Sequence, residues 1–457
     1  MKSIALEHYL HDKIREKIAS DAEYGEFIGK RGIEPIIRQD VEAYQFLQLR
    51  KALVYAYNKS SFYHAQFDKK GIKPEDFKSL SDLAKFPFAE PMDIAHNSYA
   101  FACVSQADIA RAVTFTSSGT TGPQKRIFFA EADLERMTDF MAAGMKTVAL
   151  PGDVVQIMLP SGPPNSQADL LGKGVKKMGG APILVGTAPT PEQVKAIREF
   201  RPKVLFGSTS RVYRLTKEAE VTDDLSDLGV KVLFTTSEYL SPSMRENLKR
   251  SWHADVIVHY GLTEMGLGVA VECQSGDGYH FNEADLLLEI VDPETGEVLG
   301  LGEEGEMVFT TLNREAMPLI RYRTHDISKL LDKPCDCGAT SMKKFAPTTR
   351  RKEGVVKTKA GELYPSLLDE AIFKIPNIVD WRAEFVKDGA EEGLRIQVET
   401  TTGTEVENKE IRNALLEIEA IRQGLKCGNL KLPEVEILAS GSLTRTARAK
   451  KLILDNR

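Results

Sequence analysis

Thr114-Phe115-Thr116-Ser117-Ser118-Gly119-Thr120-Thr121-Gly122-Pro123-Gln124-Lys125-Arg126 lies between the apolar lead-in Ala112-Val113 and the apolar run Ile127-Phe128-Phe129. The pattern predicts a strand, a flexible loop and a second strand. Such a loop can wrap an anion. Its glycines allow close backbone approach, bare N–H groups and Ser/Thr hydroxyls donate hydrogen bonds, and Lys125 with Arg126 supplies countercharge at the exit. A triphosphate needs that combination. The stretch is not a Walker loop, because G-x-x-x-x-G-K-[ST] counted from Gly119 demands glycine at Gln124 and Ser/Thr at Arg126. An ordinary polar turn is the competing reading.

Beyond the loop, apolar periodicity predicts a helix over 131–145, a strand over 154–159, a helix over 169–178, a strand over 182–185, a helix over 191–200 and a strand over 204–207. This alternation is the α/β pattern of a largely parallel sheet covered by helices. Ligands of such sheets bind at the loops beyond the strand C-termini. Two stretches stand at such exits. Val232-Leu233-Phe234 runs into Thr235-Thr236-Ser237-Glu238, and Val256-Ile257-Val258 runs into His259-Tyr260-Gly261-Leu262-Thr263-Glu264. Tyr260 offers a flat face for a purine, Thr263 a hydroxyl, and Glu264 a carboxylate able to hold Mg2+ against phosphate oxygens. The residues alone leave open a core aromatic at Tyr260 and a solvated charge at Glu264.

Before the loop, residues 1–90 read as a largely helical lead-in, with helical spacing over 41–53 and a break at Ser60-Ser61-Phe62-Tyr63-His64. After 270 the pattern turns to antiparallel β up to about 348, with a turn at Asp292-Pro293-Glu294-Thr295-Gly296-Glu297. The run Gly300-Leu301-Gly302-Glu303-Glu304-Gly305 matches G-x-G-x-x-G formally, but no helix follows it and two acidic residues sit inside it, which rejects a dinucleotide site.

A chain of 457 residues with 42% hydrophobic residues can bury two or three cores. Its net charge of -6 argues against a dedicated nucleic-acid or membrane-surface protein. The N-terminus lacks a signal-peptide core and no run approaches the length of a membrane span. A cytoplasmic protein acting on small molecules is the expectation, with a homodimer left open. Five cysteines make no disulfide framework. Cys273-x6-His280 and Cys335-x-Cys337 nevertheless offer three thiolates and an imidazole, a set that suits a closed structural zinc site. Buried free thiols are the competing reading, and Cys103 and Cys427 read as ordinary thiols.

The order of residues in Ser117-Ser118-Gly119-Thr120-Thr121-Gly122-x-x-Lys125 closely resembles the ATP-pyrophosphate loop of the adenylate-forming superfamily, which includes acyl-CoA synthetases, luciferases and nonribosomal adenylation domains. Pro123 stands one residue earlier than the usual proline. Tyr260-Gly261-Leu262-Thr263-Glu264 looks like the family's "YG.TE" motif. That resemblance implies a nucleotide-binding stretch from His259 to Gly261, with Tyr260 stacked on adenine, Thr263 on phosphate and Glu264 on magnesium. Ser237-Glu238 takes the place of the adenine-side "GAE" or "GSE" segment. Tyr322-Arg323-Thr324-His325-Asp326 resembles "YRTGD", whose aspartate grips both ribose hydroxyls, with His325 in place of the glycine. Segments around Ser60-Ser61-Phe62-Tyr63, Asp82-Leu83, Phe86-Pro87-Phe88 and Cys335-Asp336-Cys337-Gly338 resemble the phenylacetate-CoA ligase branch.

The charged link Arg350-Arg351-Lys352-Glu353-Gly354 resembles the family's hinge, with Arg351 matching an arginine that contacts the nucleotide. The family's terminal lid lysine falls here on Ala449, and Lys450 is expected to take over its charge. The implied fold class is α/β. A large N-terminal domain (1–350) combines helix-covered sheets with a β-rich subdomain, and a small mobile α+β C-terminal lid covers 351–457. The implied activity is ATP-dependent ligation of an aryl or related carboxylic acid to coenzyme A, through an acyl-adenylate and with release of AMP. Transfer to an amine or carrier-protein thiol, and nucleotide binding without turnover, are the alternatives.

Overall fold

The strands Arg111–Thr116 and Gln124–Phe129 pair antiparallel, with Thr116 opposite Gln124 and Val113 opposite Ile127. The computed structural model describes residues 4–30, 33–116, 124–333, 335–388, 391–403, 405–443 and 453–457. The connecting loop, Ser117 to Gly122, therefore lies outside the described residues, as does Lys450. The chain forms two units, each from non-contiguous segments: 1–151, 162–180 and 259–347 in the first, and 152–161, 181–258 and 348–457 in the second. The Arg350/Arg351 boundary read from the sequence falls just inside the second unit's last segment.

In the first unit the helical lead-in consists of Ile4–Ser20, Ala22–Ile28, Arg38–Lys59 and Ser61–Lys70. Leu10, Ile14 and Ile18 recur every four residues, so they share one face and pack with Tyr24, Tyr44, Leu47 and Ala284. The break at Ser60 is a single residue: its side chain caps the next helix by accepting from the Tyr63 N–H at 3.3 Å. Helix Glu131–Met145 packs on helix Gln167–Lys177, and a Cβ on Gly174 would lie 2.8 Å from Met141 Cβ, so only glycine permits this approach.

The strands Leu286–Val291, Gly305–Thr311 and Tyr322–Ser328 form an antiparallel meander. The run from Gly300 to Gly305 crosses the end of the connection between the first two of these strands into the second, which begins at Gly305, and starts no helix. A second set, Ala270–Glu272, Tyr279–Phe281 and Lys344–Phe345, places Val271 opposite His280 and Tyr279 opposite Phe345. His259 and Tyr260 pair with Val271 and Ala270, which extends the strand Asp255–Tyr260 through Tyr260. These two residues end a strand rather than begin a loop, because antiparallel partners continue the ladder past Val258.

In the second unit Val154–Ile157, Ala181–Leu184, Val204–Ser208 and Val232–Thr236 are parallel. Every residue of Val232–Thr236 is buried, as a parallel strand covered on both faces requires. Helices Thr190–Phe200, Thr209–Ala219 and Pro242–Trp252 make the crossovers. Its other sheet orders Glu434–Leu438, Glu391–Thr400, Ile378–Asp388 and Ile453–Asn456. The two central strands run antiparallel and each outer strand runs parallel to its neighbour. Helices Pro365–Ile372, Asn408–Leu415 and Glu419–Lys426 accompany it. No helix among the described residues is long and apolar enough to cross a membrane.

Candidate active site

Lys125 is the second residue of its strand, opposite Phe115, whose ring centroid lies 5.0 Å from the ammonium. Its Nζ donates to Glu264 Oε1 at 2.6 Å, and Tyr322 Oη donates to the same oxygen at 2.8 Å. All three side chains are buried. Burial acts to raise the Glu264 pKa, but the adjacent Lys125 charge and the hydrogen bonds from Lys125 and Tyr322 outweigh it and hold the carboxyl below its usual range. Glu264 thus remains ionised. Arg314 donates to the Glu264 carbonyl, and burial pushes its guanidinium down to about 10.

The turn after Tyr260 admits one residue type at its start. A Cβ on Gly261 would fall 2.2 Å from the Leu267 carbonyl oxygen and 2.9 Å from the His259 ring, so glycine is required there. The Leu262 carbonyl accepts from the N–H groups of Met265 and Leu267, which closes the turn and places Thr263 and Glu264 at its crown. The His259 ring lies against this turn, and burial pushes it down to about 4, so it is neutral at pH 7.

Tyr260 Oη donates to Asp326 Oδ2 at 2.5 Å. Asp326 is aimed there by an irregularity of its strand. Between the pairs Glu306–Ile327 and Val308–Arg323, the strand Tyr322–Ser328 gains two residues over its neighbour, and His325 takes φ 62°. Glycine enters this left-handed region freely, which gives the physical meaning of a glycine at this motif position. His325 holds the conformation with its N–H on Glu306 Oε1 at 3.0 Å and its ring 3.4 Å from Glu90.

In the second unit, Ser237 also takes a left-handed φ of 73° at the end of its strand. Glu238 turns its carboxylate onto the N–H of Ser210 at 2.7 Å, at the start of helix Thr209–Ala219. Arg351 is half-buried in the short strand Arg350–Arg351.

Cys273, His280, Cys335 and Cys337 converge, with one ligand atom from each lying within 4.8 Å of all the others. Cys335 Sγ is 3.2 Å from Cys273 Sγ and 3.4 Å from His280 Nε2, and Cys337 Sγ is 3.4 Å from the same nitrogen. His280 Nδ1 lies 3.3 Å from the Lys343 carbonyl, so Nδ1 carries the proton and Nε2 faces the thiols. Burial and the neighbouring Cys335 push the Cys337 thiol up to about 12. Three thiols this close cannot all ionise without a cation among them.

Residues 51–313 match the model of the AMP-binding enzyme family. A phenylacetate-coenzyme A ligase of Aromatoleum evansii is 34% identical over 382 residues, covering 80% of this chain and 83% of the relative. The phenylacetate-coenzyme A ligase of Pseudomonas putida is 30% identical, covering 80% and 84%. The chain belongs to the AMP-binding enzyme family, in its phenylacetate-coenzyme A ligase-like branch. A 2-hydroxyisobutyryl-CoA ligase in complex with 2-HIB-AMP shares the fold, with a TM-score of 0.77 at 20% identity over 92% of this chain and 90% of that one.

In this AMP-binding enzyme the first unit brings together Lys125, His259, Tyr260, Gly261, Thr263, Glu264 and Asp326. Ser237, Glu238 and Arg351 belong to the second. Motif reading did not assign a role to Tyr322 or Arg314. Tyr322 stood inside a recognised motif, and its hydroxyl four residues before Asp326 was a usable signal; Arg314 has no local signal, because its partner is fifty residues away.

Proposed function

We propose that this AMP-binding enzyme is an ATP-dependent carboxylic acid–CoA ligase acting on an aryl acid of the phenylacetate type. The substrate carboxylate oxygen attacks the α-phosphorus of ATP, the bond to pyrophosphate breaks, and an acyl-adenylate forms. The coenzyme A thiol then loses its proton and attacks the acyl carbonyl. AMP leaves and a thioester remains. Both steps need positioning and charge neutralisation more than covalent help from the protein.

The observation that carries this reading is the buried Lys125–Glu264–Tyr322 cluster beside the Tyr260–Asp326 pair. Lys125, with the loop Ser117, Ser118, Gly119, Thr120, Thr121 and Gly122, would cradle the phosphates, and Thr263 would contact them. Glu264, ionised and buried, suits Mg2+, which would supply charge neutralisation on the phosphates. Tyr260 would stack on adenine with His259 and Gly261 beside it, Asp326 would take the ribose hydroxyls, and Ser237 and Glu238 would flank the base. Arg351 would contact the nucleotide. Residues 351–457 would act as a lid turning about Glu353 and carrying Lys450. ATP and coenzyme A as substrates fit a cytoplasmic enzyme.

Cys273, His280, Cys335 and Cys337 would hold a structural zinc ion. Three thiolates and an imidazole match its donor preference, and the ligand spacing suits an ion with bonds of about 2.0–2.3 Å.

The test is acid-dependent pyrophosphate exchange, followed by coenzyme A addition and detection of a thioester across a panel of aryl and aliphatic acids. Exchange with a thioester for an aryl acid is the expected result, and Lys125→Ala lowers exchange by about 10²-fold or more, the size of losing one preorganised donor. Exchange without a thioester would assign the acyl group to an amine or carrier thiol. Absent exchange would leave a nucleotide-binding protein.

A further inference from the structure

The cysteine-histidine cluster is linked by packing to the pair read above as the adenosine contact. His280 lies in the strand Tyr279–Phe281, directly opposite Lys344, and Tyr279 is opposite Phe345. Cys335 and Cys337 lie on the chain that leads into the two-residue strand Lys344–Phe345. A strand so short makes few ladder bonds and cannot fix its own position. A metal ion bound to His280, Cys273 and both cysteines would tie this segment to the strand it pairs with.

Phe345, fully buried, passes that placement on. Its ring stacks on Tyr279 with centroids 5.4 Å apart and meets the Tyr260 ring at 5.5 Å and 76°. The Tyr260 hydroxyl in turn holds Asp326. The segment between Cys337 and the strand Lys344–Phe345 has other anchors. Glu7 Oε1 accepts from the N–H groups of Thr340 and Ser341, and Glu283 Oε1 accepts from that of Lys343 at 2.6 Å. Loss of a bound metal would therefore leave the fold in place and relax the Cys335–Cys337 turn and Phe345.

We infer that the metal centre is a positioning device for nucleotide recognition: its occupancy, transmitted through Phe345, sets the orientation of Tyr260 and Asp326 and so the affinity for ATP. This rests on the reading of those two residues as the adenosine contact and of the cluster as a zinc site. It assigns Phe345 as a positioning residue.

Full-length protein is prepared zinc-loaded and, after chelator treatment, zinc-free, with occupancy measured by metal analysis. MgATP binding is then measured by calorimetry, without any carboxylic acid. Zinc-free protein is expected to bind MgATP about threefold to tenfold more weakly, the range of one lost edge-to-face ring contact, and zinc addition restores it. Cys337→Ser reproduces the zinc-free value. Phe345→Leu retains zinc and shows the same weakening, with the KM for ATP raised and kcat at saturating ATP within about twofold of wild type.

Equal ATP affinity with and without zinc overturns the inference. So does zinc-dependent affinity that Phe345→Leu leaves unchanged, and so does protein that takes up no stoichiometric zinc. Because the readout is binding, zinc-dependent ATP affinity in a protein with no pyrophosphate exchange supports this inference while failing the ligase reading.

Discussion

Glu264 keeps its charge in a buried site because two donors meet on one of its oxygens. Burial alone would push its pKa above the ordinary 4.5, and the Lys125 charge with the hydrogen bonds reverses the sign. A folded-state pKa below the unfolded one contributes stability that is present above about pH 4.5 and is lost as pH falls through the folded value. Tyr322→Phe removes the 2.8 Å donor, so the Glu264 pKa rises and the loss begins at higher pH. We expect this variant to be about 1.5–3 kcal/mol less stable at pH 7, the usual worth of a hydrogen bond to a charged group. Urea unfolding at pH 7 and pH 5 measures it, and midpoints equal to wild type at both would reject the assignment. At this scale the motif Tyr260 to Glu264 was readable because its members are neighbours in the chain. The partners that tune Glu264 were not, since Lys125 and Tyr322 reach it only through the fold.

The helix Thr209–Ala219 carries Arg214, which reaches Glu399 on the strand Glu391–Thr400. Its Nη1 is 2.5 Å from Oε1 and its Nη2 3.1 Å from Oε2, and the Glu399 side chain is fully buried. The same carboxylate accepts from the N–H groups of Gly441 at 2.8 Å and Leu443 at 2.9 Å. Arg214→Met leaves this charge buried with backbone donors alone. The expected destabilisation is about 3–5 kcal/mol, and Glu399→Gln in the same background recovers part of it by removing the orphaned charge. Chemical denaturation of the single and double variants decides this; a single variant within about 1 kcal/mol of wild type would show that the pair is not integral to the unit. The parallel strands were legible because burial on both faces makes them continuous apolar runs, with ends displaced by a residue or two. The Arg214 helix was readable in principle from Val212, Leu215, Thr216 and Ala219 on one face, but its Ser, Arg and Lys content masked the stripe. The irregularity that aims Asp326 was not readable at all, because it exists only relative to the neighbouring strand.

Over the whole molecule, the α/β class follows from alternating periodicities, whereas the two units combine segments far apart in sequence and no linear boundary could announce them. The chemistry proposed for the chain calls for a cation from the C-terminal region, and the sequence resemblance puts the family's lysine position on Ala449. Lys450 is the candidate, with Lys451 and Arg448 as its competitors. Lys450 requires a shift of one residue to bring its charge to the α-phosphate, whereas Lys451 in extended chain stands two residues on, about 7 Å away. Lys450→Ala is therefore expected to lower acid-dependent pyrophosphate exchange by about 10²-fold at unchanged ATP affinity, the loss anticipated for removing one transition-state cation, with Lys451→Ala close to wild type. Thioester formation from supplied acyl-adenylate should persist in Lys450→Ala, because the second step breaks the acyl–phosphate bond to AMP and develops no new charge on pyrophosphate. Wild-type exchange in both lid variants would reject the substitution and leave Lys125 and Mg2+ as the principal stabilisers of the developing charge.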